Sequence, residues 1–97
     1  MLSRSKLFGS KFRVTFKLPV AEPAGPVSVV GSFNDWTPGS HELIPRRRGP
    51  RTVSVVLPHG VHTFRYLGTD GHWFDDHEAD RVEEQGSILE LVPSPAR

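Results

Sequence analysis

The segment from His72 to Asp80 contains two histidines and four carboxylates within nine residues. Histidine nitrogens and carboxylate oxygens are the ligands that zinc and manganese use in proteins. The spacing, however, matches no recognised ligand motif, and acidic runs of this kind usually lie in solvated loops. With no cysteine in the chain, thiolate chemistry and a disulfide framework are excluded. We therefore expect no metal and no other cofactor.

Both tryptophans of the chain stand among residues that are typical of turns. Trp36 follows Asn34-Asp35 and precedes Thr37-Pro38-Gly39, and Trp73 comes shortly after Asp70-Gly71. This polar context is compatible with exposed indole rings, whose faces could pack on a ligand. The alternative is that one of the two packs in the core, as tryptophan does in many β-sandwiches.

The residues Arg46, Arg47, Arg48 and Arg51 form the basic cluster of the sequence. A nucleic-acid site would need aromatic side chains among the cations, and none lies nearby in the sequence. The net charge of +1 gives no general reason to expect nucleic acid or an acidic membrane as a partner. We expect a solvated turn, which could alternatively bind an acidic partner.

Catalytic motifs are also missing. No serine stands in a nucleophile motif, and no pair of carboxylates has the sequence context of a glycosidase. A chain of 97 residues also has little room for a deep cleft of several hundred Å³. The sequence therefore predicts a protein that is not an enzyme.

The composition indicates one small domain built from strands and turns. Nine glycines and nine prolines make up nearly a fifth of the 97 residues, which suits turns better than a helical bundle. No stretch approaches the ~18 consecutive apolar residues of a membrane span. The first residues lack the apolar region of a signal peptide, so we expect a cytoplasmic protein.

Alternation of apolar and polar residues predicts β-strands along most of the chain. The clearest case is residues 11–18, where every second residue from Phe12 onward is apolar. In residues 61–67 the same period points Phe64 and Tyr66 inward and Arg65 outward. Gly31 marks a bulge or a close backbone approach. Further strands are predicted at residues 27–33, 52–57 and 87–92, with short ones at 42–45 and 72–74.

These strands predict an all-β fold, an antiparallel β-sandwich of immunoglobulin type with six to eight short strands. A small barrel is the alternative. Residues 1–10 are expected to form a flexible basic arm, residues 11–92 the sandwich and residues 93–97 a tail. Residues 19–26, with three prolines, and the charged residues 75–86 are expected to be loops.

Two blocks of the sequence belong together. The first is VSVVGSFNDW at residues 27–36, and the second is LPHGVHTFRY at residues 57–66, followed by DGHW at residues 70–73. In this order, they resemble carbohydrate-binding module family 48. That family includes the glycogen-binding domain of the AMP-activated protein kinase β subunit. It also includes the early-set domains that precede the catalytic barrel of isoamylases and branching enzymes. The resemblance covers residues 12–92.

The resemblance implies an immunoglobulin-like early-set sandwich with an aromatic platform for α-1,4-glucan. Trp36 and Trp73 match the platform tryptophans, and Arg65 matches the basic residue between them, which is usually lysine. Ser87 is the hydroxyl nearest to the family's threonine and asparagine. The loop at residues 83–87 is shorter than in the family and lacks its leucine, and Gly86 replaces the asparagine.

We thus expect a non-catalytic module for glycogen, starch or maltooligosaccharides. The hydrolase activity of the barrels that such modules precede is not carried over. The alternative is a protein-interaction module of the same fold that has lost sugar binding. It would recruit a glycogen-metabolism enzyme or a kinase through a sheet edge or through the turn at residues 46–48.

Overall fold

The computed structural model describes residues 2–19 and 25–92. Within them it has eight β-strands and two single-turn 3-10 helices, Ser32–Asn34 and Thr69–Gly71. None of the helical segments in these ranges is long and apolar enough to cross a membrane. The strands are β1 (Leu2–Lys6), β2 (Lys11–Leu18), β3 (Ser28–Gly31), β4 (Arg51–Pro58), β5 (Gly60–Leu67), β6 (Trp73–Phe74), β7 (Arg81–Glu83) and β8 (Gly86–Leu91).

The strands form two antiparallel sheets that pack as a β-sandwich, which confirms the predicted fold class. One sheet has the order β1-β2-β4, and the other has the order β3-β5-β8-β7, with β6 also paired to β5. In the first sheet β2 and β4 pair along their whole length, from Lys11 opposite Pro58 to Leu18 opposite Arg51. The second sheet centres on β5, which has partners on both sides.

The core lies between the inner faces of the two sheets. The predicted alternation of β2 is confirmed, since Phe12, Val14, Phe16 and Leu18 are all buried. The ring of Phe16 meets that of Phe64 on β5 edge to face, with centroids 5.0 Å apart. Full burial of one such side chain stabilises the fold by about 1.5–3 kcal/mol. This packing fixes which side chains of each strand face outward.

The basic segment at the start of the chain is a strand rather than the expected flexible arm. Strand β1 pairs with β2 from Leu2 opposite Phe16 to Lys6 opposite Phe12. Arg4 reaches the other sheet, where its guanidinium lies 3.1 Å from Asp80 Oδ2 and donates to the Glu90 carbonyl. The sequence did not predict this strand, because Arg4 with its polar contacts stands where an alternating strand would have an apolar residue.

The acidic segment at residues 75–86 also contains a strand where a loop was expected. Strand β7 pairs with β8 as an exposed edge, and Val82 is 42% exposed. Arg81 forms ion pairs with Glu83 and Glu90, and these carboxylates raise its pKa. Charged side chains thus support an edge strand that has no buried face, and hydrophobic periodicity does not reveal such a strand.

Other boundaries differ by small amounts. Residues 42–45 form two isolated bridges instead of a strand, and β3 ends at Gly31 rather than at residue 33. The predicted tail at residues 93–97 and most of the predicted loop at residues 19–26 lie outside the described residues.

The bridge between Arg4 and Asp80 gives a prediction for stability against pH. Burial acts to raise the pKa of Asp80, but hydrogen bonds from the Glu90 N–H and from Arg4, with the charge of Arg4, outweigh it and lower the pKa. Because the pKa of Asp80 is lowered by folding, its carboxyl binds a proton more tightly in the unfolded chain than in the folded one. The stabilisation is therefore present above the ordinary carboxyl pKa and is lost as the pH falls through the folded-state pKa.

We expect Asp80→Asn to lower the free energy of unfolding by about 1 kcal/mol near pH 7. The difference from the natural chain should shrink below about pH 4, because the natural carboxylate then also becomes protonated. Urea denaturation between about pH 7 and about pH 3 measures this difference in the free energy of unfolding, and Glu84→Gln, at an exposed position, is the control. A difference of constant size from about pH 7 to about pH 3 would contradict the account.

Candidate functional site

Trp73 and Arg65 lie on the same outer face of the β5-centred sheet. Trp73 on β6 is paired with Leu67 on β5, and Arg65 precedes Leu67 by two residues. Since Phe64 and Tyr66 are buried in the core, Arg65 and Leu67 point to the other side. Diagonal neighbours of this kind are about 7–8 Å apart. The indole of Trp73 is 46% exposed, so this face presents an aromatic plate beside a cation.

Trp36 is carried by a tight turn that follows β3. Its backbone N–H donates to the Gly31 carbonyl at 2.9 Å. The side chain of Asn34 fixes the same turn, because its Oδ1 accepts from the Gly31 N–H and its Nδ2 donates to the Val29 carbonyl, both at 3.0 Å. These bonds hold Trp36 close to the end of β3, whose last residue Gly31 is paired with Phe64 on β5.

Gly31 allows the turn to approach the sheet. A Cβ atom at this position would lie 2.5 Å from the Thr63 carbonyl oxygen and 2.9 Å from Phe64 Cβ. Real Cβ atoms do not come so close to backbone, so only glycine fits. The predicted close backbone approach at Gly31 is therefore confirmed, and it sets the distance between the Trp36 turn and β5.

The backbone at Trp36 is strained. Asp35 and Trp36 have φ of 54° and 56°, in the left-handed region that bulky residues rarely adopt. Conformations of this kind cost about 1–3 kcal/mol each and are concentrated at functional sites. Trp36 is nevertheless 40% exposed. A tryptophan is thus held at the surface at a position where glycine would fold with less strain.

Arg65 is held in place by neighbours from two loops. Its Nη2 donates to the Glu84 carbonyl, and its Nε lies 3.4 Å from Asp75 Oδ1, an ion pair without the alignment of a hydrogen bond. Gly86 provides the space, since a Cβ there would lie 3.0 Å from Arg65 Cγ. The side chain remains one-third exposed. These two contacts restrict the position of the guanidinium.

Ser87 is not at the surface. The residue is fully buried, and its Oγ donates to Asp75 Oδ1 at 3.0 Å and accepts from the Asp76 N–H at 2.9 Å. The hydroxyl therefore donates and accepts inside the protein, and the structure does not bring Ser87 to the surface with Trp73 and Arg65. Instead, Ser87 orients Asp75, which contacts Arg65.

The same buried network extends to Tyr66 in the core. The Tyr66 hydroxyl donates to Asp76 Oδ2 at 2.6 Å, and the Glu78 N–H donates to Asp76 Oδ1 at 2.9 Å. Burial acts to raise the pKa of Asp76, but the hydrogen bonds that it accepts, these two among them, lower it overall. Burial and the adjacent Asp76 raise the pKa of Tyr66 far above its ordinary value.

Side chains of residues 72–80, the segment rich in histidine and carboxylate, make contacts within the protein. His72 stacks on Phe74 with ring centroids 5.2 Å apart, Asp75 and Asp76 belong to the network above, and Asp80 is bound by Arg4. In residues 2–19 and 25–92, no group of three or more histidine, aspartate or glutamate side chains is arranged to hold a metal ion.

Ser87→Ala tests the buried network. The substitution removes two hydrogen bonds and leaves the Asp76 N–H without an acceptor, so we expect a loss of about 1–3 kcal/mol in the free energy of unfolding. Urea denaturation measures the loss, and Ser40→Ala, at an exposed position, is the matched control. A Ser87→Ala chain as stable as the control would show that the network does not support the fold.

A pair of substitutions tests the strain at Trp36. Since glycine adopts a positive φ without penalty, we expect Trp36→Gly to be more stable than Trp36→Ala by about 0.5–1 kcal/mol. Trp73 lies in a strand, where glycine is unfavourable, so Trp73→Gly should be less stable than Trp73→Ala. Thermal unfolding of the four variants gives both differences. If glycine were less stable than alanine at both positions, or more stable at both, the assignment of strain to Trp36 would be refuted.

The comparisons with known proteins add no assignment to this geometry. No protein-family model matches the chain, and no curated protein matches it either.

Proposed function

We propose that this chain is a non-catalytic module that binds α-1,4-glucan on the outer face of the β5-centred sheet. The observation that carries the proposal is the half-exposed Trp73 as a diagonal neighbour of the ordered Arg65, with a second half-exposed tryptophan, Trp36, in the turn that follows β3. The resemblance to carbohydrate-binding module family 48 supports it, because the same three residues match that family's platform. In this proposal the sandwich is of the immunoglobulin-like early-set type.

The chemistry of the ligand fits such a surface. A glucose ring has an apolar C–H face that packs on the face of an indole, and an aromatic contact of this kind contributes about 0.5–1.5 kcal/mol beyond area burial. Two plates and one donor predict affinities between about millimolar and micromolar. Weak binding at one site suits a polymer that offers many equivalent chains.

Arg65 would donate hydrogen bonds to sugar hydroxyls. Because Asp75 and the Glu84 carbonyl already fix its guanidinium, little rotamer freedom is lost when a ligand binds. The carboxylate that contacts Arg65 is itself engaged by Ser87. We therefore assign these groups to binding and positioning, with no catalytic step.

One observation favours a second candidate function. Ser87 is buried, so the short turn between β7 and β8 offers no serine hydroxyl to a sugar. A module of the same fold without sugar binding, which recruits a glycogen-metabolism enzyme or a kinase through the exposed turn at residues 46–48, would tolerate this loss. Titration with a glucan distinguishes the two functions.

Tryptophan fluorescence titration with glycogen and β-cyclodextrin tests the proposal, because both tryptophans of the chain belong to the proposed site. We expect a saturable shift, with an affinity reduced at least about tenfold in Trp73→Ala and in Trp36→Ala. The free energy of unfolding should change by no more than about 1 kcal/mol. The fluorescence of the remaining tryptophan reports binding in each variant.

Phe8→Ala is the matched control, since Phe8 is a fully exposed aromatic residue outside the proposed site. Its affinity for both glucans should equal that of the natural chain. A flat titration of the natural chain, or an equal loss in Phe8→Ala, would overturn the proposal of a glucan site.

A further inference from the structure

The sheet on the opposite side of the sandwich has a one-sided charge. Strands β1, β2 and β4 together contain six cationic residues and no aspartate or glutamate. The six are Arg4, Lys6, Lys11, Arg13, Lys17 and Arg51. The carboxylates that bind cations in the described ion pairs, Asp75, Asp80, Glu83 and Glu90, all lie outside this sheet. The strands of this sheet are therefore purely cationic, whereas those of the other sheet contain both arginines and glutamates.

Three of the cations form a row on the outer face of β2. Because Phe12, Val14 and Phe16 are buried, Lys11, Arg13 and Lys17 point away from the core. Lys11 and Arg13 are about 7 Å apart along the strand, and the whole row extends about 20 Å. Within residues 2–19 and 25–92, none of the three forms an ion pair with a carboxylate.

Hydroxyl side chains lie next to this row. Thr15 and Ser54 share a hydrogen bond of 2.9 Å between their hydroxyls, beside Arg13. At the far end Thr52 lies opposite Lys17, and Thr52 Oγ1 accepts from Arg46 Nε at 2.8 Å. A fourth cation thus joins the row. We call the outward side chains of these three strands the cationic face: Ser3, Ser5, Lys11, Arg13, Thr15, Lys17, Thr52, Ser54, Val56 and Pro58.

We propose that the cationic face binds an extended acidic segment of a protein partner. Carboxylates at every second residue of an extended chain repeat at about 7 Å, so two neighbouring ones can meet Lys11 and Arg13, and another can meet Lys17 two repeats beyond Arg13, past Thr15. The hydroxyls can bond the backbone of such a segment. Complementary charge of this kind speeds association and selects the partner, more than it adds raw affinity.

Two other anionic partners fit the cationic face less well. Single-stranded nucleic acid is bound on aromatic side chains that stack with bases, and none of the residues of this face is aromatic. Attachment to a lipid surface needs apolar side chains that enter the membrane, and Val56 with Pro58 are the apolar residues here. The lysines, arginines and hydroxyls instead match carboxylates and peptide groups.

The cationic face lies on the side of the sandwich opposite to the proposed glucan platform. The proposed glucan platform lies on the outer face of the other sheet, so the two surfaces are back to back. An acidic partner on the β1-β2-β4 sheet would leave Trp36, Arg65 and Trp73 uncovered. The module would then hold a protein on one side and a polysaccharide on the other. Binding of the acidic segment does not depend on the proposed glucan site.

The test uses the full chain and a labelled peptide in which glutamate and serine alternate, with a glutamine–serine peptide for comparison. Fluorescence anisotropy measures the affinity at low and at physiological salt. We expect binding of the acidic peptide alone, weakened by salt because exposed charges are screened. The triple variant Lys11→Glu, Arg13→Glu, Lys17→Glu should lose at least about tenfold in affinity.

The matched control is the triple variant Lys6→Glu, Arg47→Glu, Arg48→Glu, which changes the net charge equally but leaves the row intact. It should retain affinity within about threefold. Glucan titration and thermal unfolding of both triple variants show whether the fold and the other face are intact. An equal loss in the two variants, no binding at low salt, or tighter binding of the natural chain to oligothymidylate or to phosphatidylserine vesicles than to the peptide would overturn the inference.

Discussion

The buried carboxylate of Asp76 is the constraint on which the proposed glucan platform depends. A charge in the interior must be compensated by hydrogen bonds, and Asp76 accepts such bonds from the Tyr66 hydroxyl in the core and from the Glu78 N–H. Its own N–H is fixed by Ser87, which also holds Asp75. The position of Asp75 then restricts Arg65 on the outer face. One buried charge thus links the packing of the core to the order of a surface arginine.

The two layers of the sandwich separate two kinds of surface chemistry. The β5-centred sheet carries the exposed Trp73 and an arginine that is already paired, and the exposed Trp36 lies in the turn after its strand β3, a set of groups that suits a neutral ligand with apolar faces and hydroxyls. The β1-β2-β4 sheet carries cations without carboxylates and no exposed aromatic side chain on its outer face, which suits an acidic polypeptide. The Arg4–Asp80 bridge between the sheets is one of the contacts that keep these surfaces in a fixed relation. The same period-two alternation that builds the core therefore produces both outer faces.

Sequence patterns predicted the parts of the fold in which hydrophobic burial decides the structure. The alternation of β2 and β5 and the close approach at Gly31 follow from apolar periodicity and turn residues. Turn residues alone left the exposure of both tryptophans open, and the family resemblance favoured it. Strands β1 and β7 were missed because ion pairs of Arg4 and Arg81 stabilise them, and a pairing between distant residues leaves no periodic signal. The burial of Ser87 was missed for a related reason, since it depends on Asp75 and Asp76 folding over the start of β8. A buried serine and an exposed one look alike in a strand sequence.

The most direct test of the glucan account is a nuclear magnetic resonance titration of the isotope-labelled chain with a maltooligosaccharide. The two indole N–H signals report the two proposed plates separately, and the guanidinium Nε–H of Arg65 reports the donor between them. The account predicts that both indole signals and the Arg65 signal shift along one saturation curve, while the signals of β2 stay unchanged. Stationary indole signals, or shifts confined to the β1-β2-β4 sheet, would contradict it.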